Sequence, residues 1–476
     1  MSRVAPALVC CLSGIASASP RTDPTSGRSV FTGATMPAAT SIDLDPAAIG
    51  PGQFDYAYIA ATGVYDHYGV RLDSVDLSTG AIKAGDPLHD NEISPGGMLA
   101  YVWHIGIDHR ITLGFEIRSD PGETFIANRT ALGYQTLGGG QRGYKAGFAA
   151  SVRVLDNVYI GIGLNSETSY LHLHYARDAA LENGHGSDGV DSDCAGAPCG
   201  AGNPLAAEHY DINVRTKLFS SSNFVANLGV LALLAKDVWF GISYHAPPGL
   251  EVRTELDGTV DVRRAPRDGG SLMHGASTVF LSQPASADAE LRARVAPTLE
   301  LHVGARWEDL SRFQGYDLRT YGSTFAAARI PEWQLRARGL HDPFSLWAGV
   351  EQVELDRARD WLRLGARIGV ETSSLRDQET TPLTIAPRSY TADVGVQLRI
   401  GPVVLQGTYG LQYFPTVNVA NSSYDPRARV ACIASGYDYS TAACEAVRDG
   451  YGIASADGQY DRIEHAVRIA LILQKL

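Results

Sequence analysis

The chain predicts an all-β membrane protein, an antiparallel β-barrel with a short N-terminal segment held inside it. Three observations point there. No stretch offers the roughly eighteen consecutive apolar residues that a membrane helix needs; the longest interior candidate, Val225 to Ala235, is too short and contains Asn227. From Phe54 onward the dominant hydrophobic period is two, the period of a strand with two unlike faces. With 50 glycines, 22 tyrosines and only 19% charged residues in 476, the chain has the composition of many turns, many aromatic anchors and a modest solvated surface.

The first eighteen residues read as an export leader. Arg3 supplies the positive end, Val4 to Ile15 the short apolar run, and Ala16-Ser17-Ala18 the small-x-small cleavage pattern, so that residues 1–18 are the signal peptide and the mature chain begins near Ser19. Cys10 and Cys11 leave with it. The remaining cysteines, Cys194, Cys199, Cys432 and Cys444, form two locally spaced pairs in stretches without strand pattern, and in an exported protein the economical reading is two loop disulfides. No matched pairs at zinc-finger spacing lie nearby.

Residues 19–52 come next. Their most telling part, Gly33 to Gly50, is rich in small residues and too poor in long apolar side chains to make a core of its own, which suggests a plug inside the barrel formed by residues 53–476. In that barrel, Phe54, Tyr56 and Tyr58 open the first strand. Met98 to Ile107 and Ile111 to Arg118 flank a turn at Asp108-His109-Arg110, and Gly147 to Val154 pairs with Val158 to Tyr175 across Leu155-Asp156-Asn157. Phe224 to Leu234 and Val238 to Tyr244 make a third hairpin, and alternating strands recur at Leu299 to Glu308, Leu362 to Glu371 and Ala392 to Ile400. Strict alternation also suits a soluble sandwich. Tight turns on one side and long polar stretches on the other (Ala176 to Asn223, Pro247 to Ala289, Gly315 to Asp342, Asn418 to Tyr460) favour the outer-membrane barrel. Tyr101, Trp103, Trp239, Tyr244, Trp307, Trp347, Trp361 and Tyr409 are placed to form interfacial girdles.

Several function classes lose support here. A net charge of −12 with only five lysines argues against a nucleic-acid surface. No Gly-x-Ser-x-Gly elbow and no His-Glu-x-x-His occurs, so nothing supports an enzyme, and no cofactor is implied. His172 and His174 face one way, into the lumen if Leu171, Leu173 and Tyr175 face lipid, but no third metal ligand accompanies them. Asp188, Asp191 and Asp193 lack the terminal Glu of a calcium loop.

In order and spacing, these features resemble the FadL-type outer-membrane transporters of long-chain fatty acids and other hydrophobic molecules. Ser41 to Ile49 is similar to the family's Asn-Pro-Ala segment, with Asp45 in place of Asn before Pro46 and Ala47. Trp307 to Phe313 resembles its Trp-Ser-x-Phe strand end, with Leu310 in place of the nearer Trp, and Phe344 to Arg376 the hairpin that follows. The resemblance implies about fourteen antiparallel strands and an N-terminal hatch over residues 19–52, anchored at Asp45, Pro46 and Ala47. It also implies passive uptake of a hydrophobic ligand through loop capture, internal binding and lateral release at a kinked third strand. Asp120, Pro121 and Gly122 supply that kink, since proline removes a ladder donor and glycine permits a bend. The positional matches for cations that meet a fatty-acid carboxylate are Arg319 and Arg177. The expected partners are a hydrophobic small molecule and outer-membrane lipid, with the chain a monomer. The competing reading is a structural or adhesive barrel whose disulfide-tied loops bind partners outside. The final strand departs from the family: Val467, Ile469, Leu471 and Leu473 alternate, but the closing Leu476 is not aromatic and falls out of phase.

Overall fold

In the computed structural model the described residues are 30–52, 54–75, 82–106, 110–125, 136–178, 211–220, 223–247, 254–264, 269–281, 284–313, 315–322, 325, 333–337, 339–352, 361–420, 422 and 456–474. Residues 1–29, with the expected leader, and all six cysteines, with the expected disulfides, lie outside them.

The strands, all paired antiparallel, build a closed barrel of 14 staves. In chain order these are β1 (Tyr56–Val75); β2 (Ile82–Ala84) with β3 (Leu88–Ile105); β4 (Ile111–Ser119) with β5 (Glu123–Phe125); β6 (Gly138–Leu155); β7 (Val158–Asp178); β8 (Asp211–Ser220) with β9 (Asn223–Ala235); and β10 (Val238–His245) with β11 (Thr254–Arg263). They continue with β12 (Leu272–Leu281) and β13 (Ser286–Ala296), β14 (Leu299–Glu308) and β15 (Gly315–Tyr321), β16 (Trp333–Ala337) and β17 (Phe344–Gln352), then β18 (Leu362–Glu371), β19 (Ser389–Ile400), β20 (Val403–Val419) and β21 (Gly458–Gln474). Closure falls between the first and last staves, where β1 pairs with β21 from Tyr56↔Gln474 to Leu72↔Gly458. Full closure removes the sheet edges that would otherwise seek partners.

Tight turns close the lower pole. Asp237, at φ 63°, and Gly401, at φ 61°, take the left-handed conformation that such short connections require. The upper connections are the long ones, yet they are shorter than the sequence suggests. The stretch 176–223 contains β8, 247–289 contains β11, β12 and the start of β13, and 315–342 contains β15 and β16. These strands escape sequence reading because charged or polar residues occupy one face, as in Asp257, Thr259 and Asp261, and so imitate a solvated loop. The strand expected from Met98 likewise starts earlier, at Leu88, and runs through Pro95, Gly96 and Gly97 to Ile105.

Around the lower half the outer face is apolar: Ile59, Leu99, Phe115, Ile162, Leu228, Val303, Ile368 and Ile469 all point away from the lumen and are exposed. A continuous belt of this kind is the lipid-facing surface of a membrane barrel. Tyr101, Tyr244, Trp307, Trp361 and Tyr409 are exposed. Trp239 and Trp347 are not girdle residues. Each sits on the inward parity of its strand, Trp239 packed against Tyr159 and Trp347 beneath Arg367 at 4.4 Å.

Residues 30–52 lie within this ring. They form a one-turn helix at Ser41–Leu44 and a 3₁₀ turn at Pro46–Ile49, and nearly every residue from 30 to 50 is buried. Their neighbours come from all sides of the barrel: β4, β6, β7, β9, β10, β13, β18, β19 and β21. A segment touching so many separate staves can only be in the lumen.

Candidate functional site

A segment with so little regular structure must satisfy its backbone groups elsewhere, and the inward side chains of the lower barrel do this. Ser151 Oγ donates to Ala47 O (3.0 Å), and Asn227 Nδ2 to Asp43 O (2.8 Å). Glu290 accepts from the backbone N–H of Thr35 (3.2 Å) and from its hydroxyl, and Glu351 from the N–H of Phe31 (3.1 Å). His245 Nε2 lies 3.1 Å from Leu44 O.

Asp45 N-caps the 3₁₀ turn, its Oδ1 accepting from Ala47 N at 2.9 Å. Its other oxygen, buried, has no hydrogen-bond partner among the described residues. Burial pushes this carboxyl well above the usual carboxylate range, partly opposed by the bond from Ala47 and reinforced by Asp288 and Glu290. The Asp45 and Pro46–Ala47 backbone region presses onto Gly229 and Gly161, where any side chain on the wall would collide with it.

Two residues earlier, Asp43 has the opposite electrostatics. Burial raises it, but Arg118, Lys145 and His245 more than compensate and hold it below its ordinary range. Arg118 Nη1 pairs with Asp43 Oδ2 at 2.7 Å, and Asn165 Nδ2 donates to Asp43 Oδ1 at 2.7 Å. Sequence reading misses Asp43, Arg118, Asn165 and Asn227. The available signal is that Arg118 stands at an inward position of an otherwise clean alternating strand.

Arg118 also reaches Asp120, Nε to Oδ1 at 3.4 Å. Here the third stave is interrupted. The β3–β4 ladder runs up to Gly97↔Ser119 and stops, residues 120–122 are not in strand, and β5 resumes by pairing with β6. Pro121 packs against Gly96. Among the described residues no ladder joins β3 to β5, so the wall above Gly97 is unstitched on this side.

Above residues 30–52, the lumen is apolar on the side of β7 to β15. Leu171, Leu173 and Tyr175 from β7 meet Leu218, Leu256, Val260, Val279 and Leu318 of the next four staves, with Phe313, Tyr316 and Leu383 packed among them. The Tyr316 hydroxyl donates to Gln141 Oε1 at 3.1 Å.

This reverses one expectation and removes another. His172 and His174 lie on the outer parity of β7, because Leu171, Leu173 and Tyr175 fill the lumen at that height. Arg319 is also outside: its side chain is 43% exposed, pairs with Asp317 at 3.2 Å and stacks over Phe280. Counting six residues from Phe313 assumes unbroken extension, whereas a 3₁₀ turn at Leu310–Arg312 and Gly315 at φ 149° reset the phase. Arg177 pairs through its backbone with Ile212 at the top of β7, and its side chain lies outside the described residues. The structure therefore does not bring Arg319 to the apolar cluster.

The chain matches no family model and no curated protein. Solved structures do match it along nearly their whole length. A FadL homologue of Pseudomonas aeruginosa is 15% identical with a TM-score of 0.70, covering 97% of this chain and 99% of that one. The P. putida toluene transporter TodX is 10% identical with a TM-score of 0.60 (97% and 99% covered), and the Ralstonia pickettii toluene transporter TbuX is 13% identical at 0.58 (98% and 100%). The fold is that of the FadL-type barrels.

Proposed function

We propose that this chain is an outer-membrane channel for passive uptake of hydrophobic small molecules, long-chain fatty acids or compounds of similar polarity, and that it works without chemistry. The observation that carries the reading is the stacking order within the lumen. An apolar cluster lies above a charged, fully occupied seat, and the wall beside their junction is interrupted at residues 120–122. A hydrophobic molecule taken up among the upper loops finds apolar lining along the β7 to β15 side down to that level, and below it meets buried ion pairs that would have to be desolvated to let it pass. Its low-energy exit is sideways, through the break, into the lipid facing the barrel. The fold shared with solved channels for hydrophobic molecules supports this reading.

Residues 19–52 act as the hatch in this scheme. Asp45, Pro46 and Ala47 hold its tight turn against β7 and β9, and Arg118 links its Asp43 to Asp120 at the break. Ligand arriving at the cluster would therefore act on hatch and gap together.

The test is uptake by proteoliposomes or by a host lacking its own long-chain fatty acid channel, measured with oleate and toluene against glucose. The expected result is faster oleate or toluene uptake with no glucose leak. Uptake equal to that of protein-free liposomes, for both hydrophobic probes, contradicts the proposal.

A further inference from the structure

The connection between β18 and β19, residues 372–388, does not stay at the barrel's mouth but folds inward as a short hairpin. At its base Ser374 N donates to Ala386 O (3.1 Å), and at its tip Thr381 and Thr384 exchange backbone hydrogen bonds (3.2 and 2.9 Å). A 3₁₀ turn at Asp377–Glu379 satisfies further groups, Glu379 N donating to Arg376 O at 2.9 Å. The base is moored to the segment before β17, where Leu340 and Leu375 form an isolated bridge and His341 N donates to Ser374 O (2.9 Å). Pro382 and Pro387 carry no N–H that needs an acceptor. A segment that closes its own backbone bonds in this way can sit in an apolar lumen.

Its polarity follows its depth. Arg376, Asp377 and Gln378 are exposed at the mouth, whereas every residue from Thr380 to Ile385 is buried. Leu383 packs into the apolar cluster of β7 to β15. Ile385, two residues on, packs into a second cluster, made by Tyr68, Val70, Val417, Val419 and Tyr460 on the side of β1, β20 and β21. One tip thus touches both clusters and lies across the lumen between them. The two sides differ below it. Under Ile385 the cluster rests on Arg462, whose guanidinium lies 5.0 Å from the Tyr68 ring and pairs with Asp66 (2.7 Å) and Glu464 (3.1 Å). An alkyl chain entering there would have to desolvate these ions. On the Leu383 side the apolar cluster continues down to Leu171, its lowest member on β7.

Resting on the transport reading above, we propose that Leu383 is the selectivity residue of the upper lumen, closing the apolar route to rigid multi-ring hydrophobes while yielding to a slender, flexible alkyl chain. A leucine side chain can swing between rotamers to let a methylene chain by. The backbone that carries it, held by two prolines and by the hydrogen bonds of the hairpin, does not withdraw far enough for a fused ring system. Ile385 makes the matching contact on the side where ion pairs bar the way, so it contributes packing and not selection.

The test measures uptake of oleate and of pyrenebutyrate, above the protein-free rate, by proteoliposomes holding the full mature chain, Leu383→Ala or Ile385→Ala, each checked for heat-dependent gel mobility. The unaltered chain is expected to admit oleate faster than pyrenebutyrate. Leu383→Ala should raise the pyrenebutyrate-to-oleate ratio about tenfold. Ile385→Ala, which opens a cavity of similar size, should leave the ratio unchanged. Leu383→Val should move it in the same direction by less, and tests the proposal even if Leu383→Ala fails to fold. A ratio that neither Leu383 variant moves, or that Leu383→Ala and Ile385→Ala move alike, overturns the proposal while oleate uptake by the unaltered chain upholds the transport reading. Uptake of neither probe by the unaltered chain sinks both, so the two failures are told apart by the unaltered chain alone.

Discussion

Along the single strand β7, the lower and upper halves of the barrel put opposite chemistry on the same face. In the lower half Ile160, Ile162 and Leu164 point outward, Ile162 at 57% exposure, while Gly161, Gly163 and Asn165 face the lumen. In the upper half Leu171, at 1%, Leu173 and Tyr175 face the lumen while His172 and His174 point out. The parity never breaks; the polarity inverts between Asn165 and Leu171. The next stave repeats it, with Leu228 and Val230 outside below and Arg215 and Lys217 outside above. The lower half is a barrel turned inside out for lipid, its lumen filled by hydrogen-bonded and ion-paired groups. The upper half carries an apolar core on the side of β7 to β15, with the Asp66–Arg462–Glu464 ion pairs buried on the side of β1 and β21. Where the two meet, the described ladder of the third stave is interrupted at residues 120–122.

Breaking the lower seat should have the largest effect. Arg118→Met leaves Asp43, Glu116 and Asp120 buried without the guanidinium that pairs with all three and with only Lys145 nearby, and breaking a buried ion pair costs about 3–5 kcal/mol. Amide exchange over residues 41–49 should accelerate by orders of magnitude while the heat-dependent gel mobility of the barrel is kept. Next comes the outer face. Ile162→Lys places a cation in the lipid belt and should destabilise the barrel by about 2–4 kcal/mol in urea unfolding from lipid vesicles. The equivalent change above the inversion, Thr259→Lys at an exposed outward position of β11, should stay within about 0.5 kcal/mol in the same assay, as for an exposed surface substitution. Equal effects at the two positions would erase the distinction between the halves.

The fold class and the alternating lower strands are legible in the sequence because one physical rule, apolar out and polar in, governs the lower half. Applied upward, the same rule fails. It assigns His172 and His174 to the lumen and hides β8, β11, β12, β15 and β16 inside supposed loops, since outward polar residues such as Arg215, Lys217, Asp257 and Asp261 look like solvated turns. Arg319 fails for a local reason, the phase reset at Gly315. Asp45 and Ala47 are legible as a turn; the anchoring role of Asp43 is not, because its partners Arg118, Asn165 and Asn227 come from strands distant in sequence.

Asp45 gives the finest test of the seat. Its carboxyl is raised in the folded chain, so the neutral form favours the seated turn. That contribution is complete below the ordinary carboxylate range and is lost as pH rises through the raised value. Asp45→Asn keeps the Oδ1 acceptor for Ala47 N and removes the ionisation. It should slow amide exchange of residues 45–50 at pH above the raised value and flatten its dependence on pH. An unchanged pH profile would mean that Asp45 is not the titrating group.

The most direct test of the two-half account is the position of a bromine-labelled fatty acid diffused into crystals of the full chain and located by its anomalous signal. The account predicts the bromoalkyl chain among Leu171, Leu218, Leu256 and Leu318, above residues 30–52. A peak confined to the lower lumen, or found only on the outer belt, would contradict it.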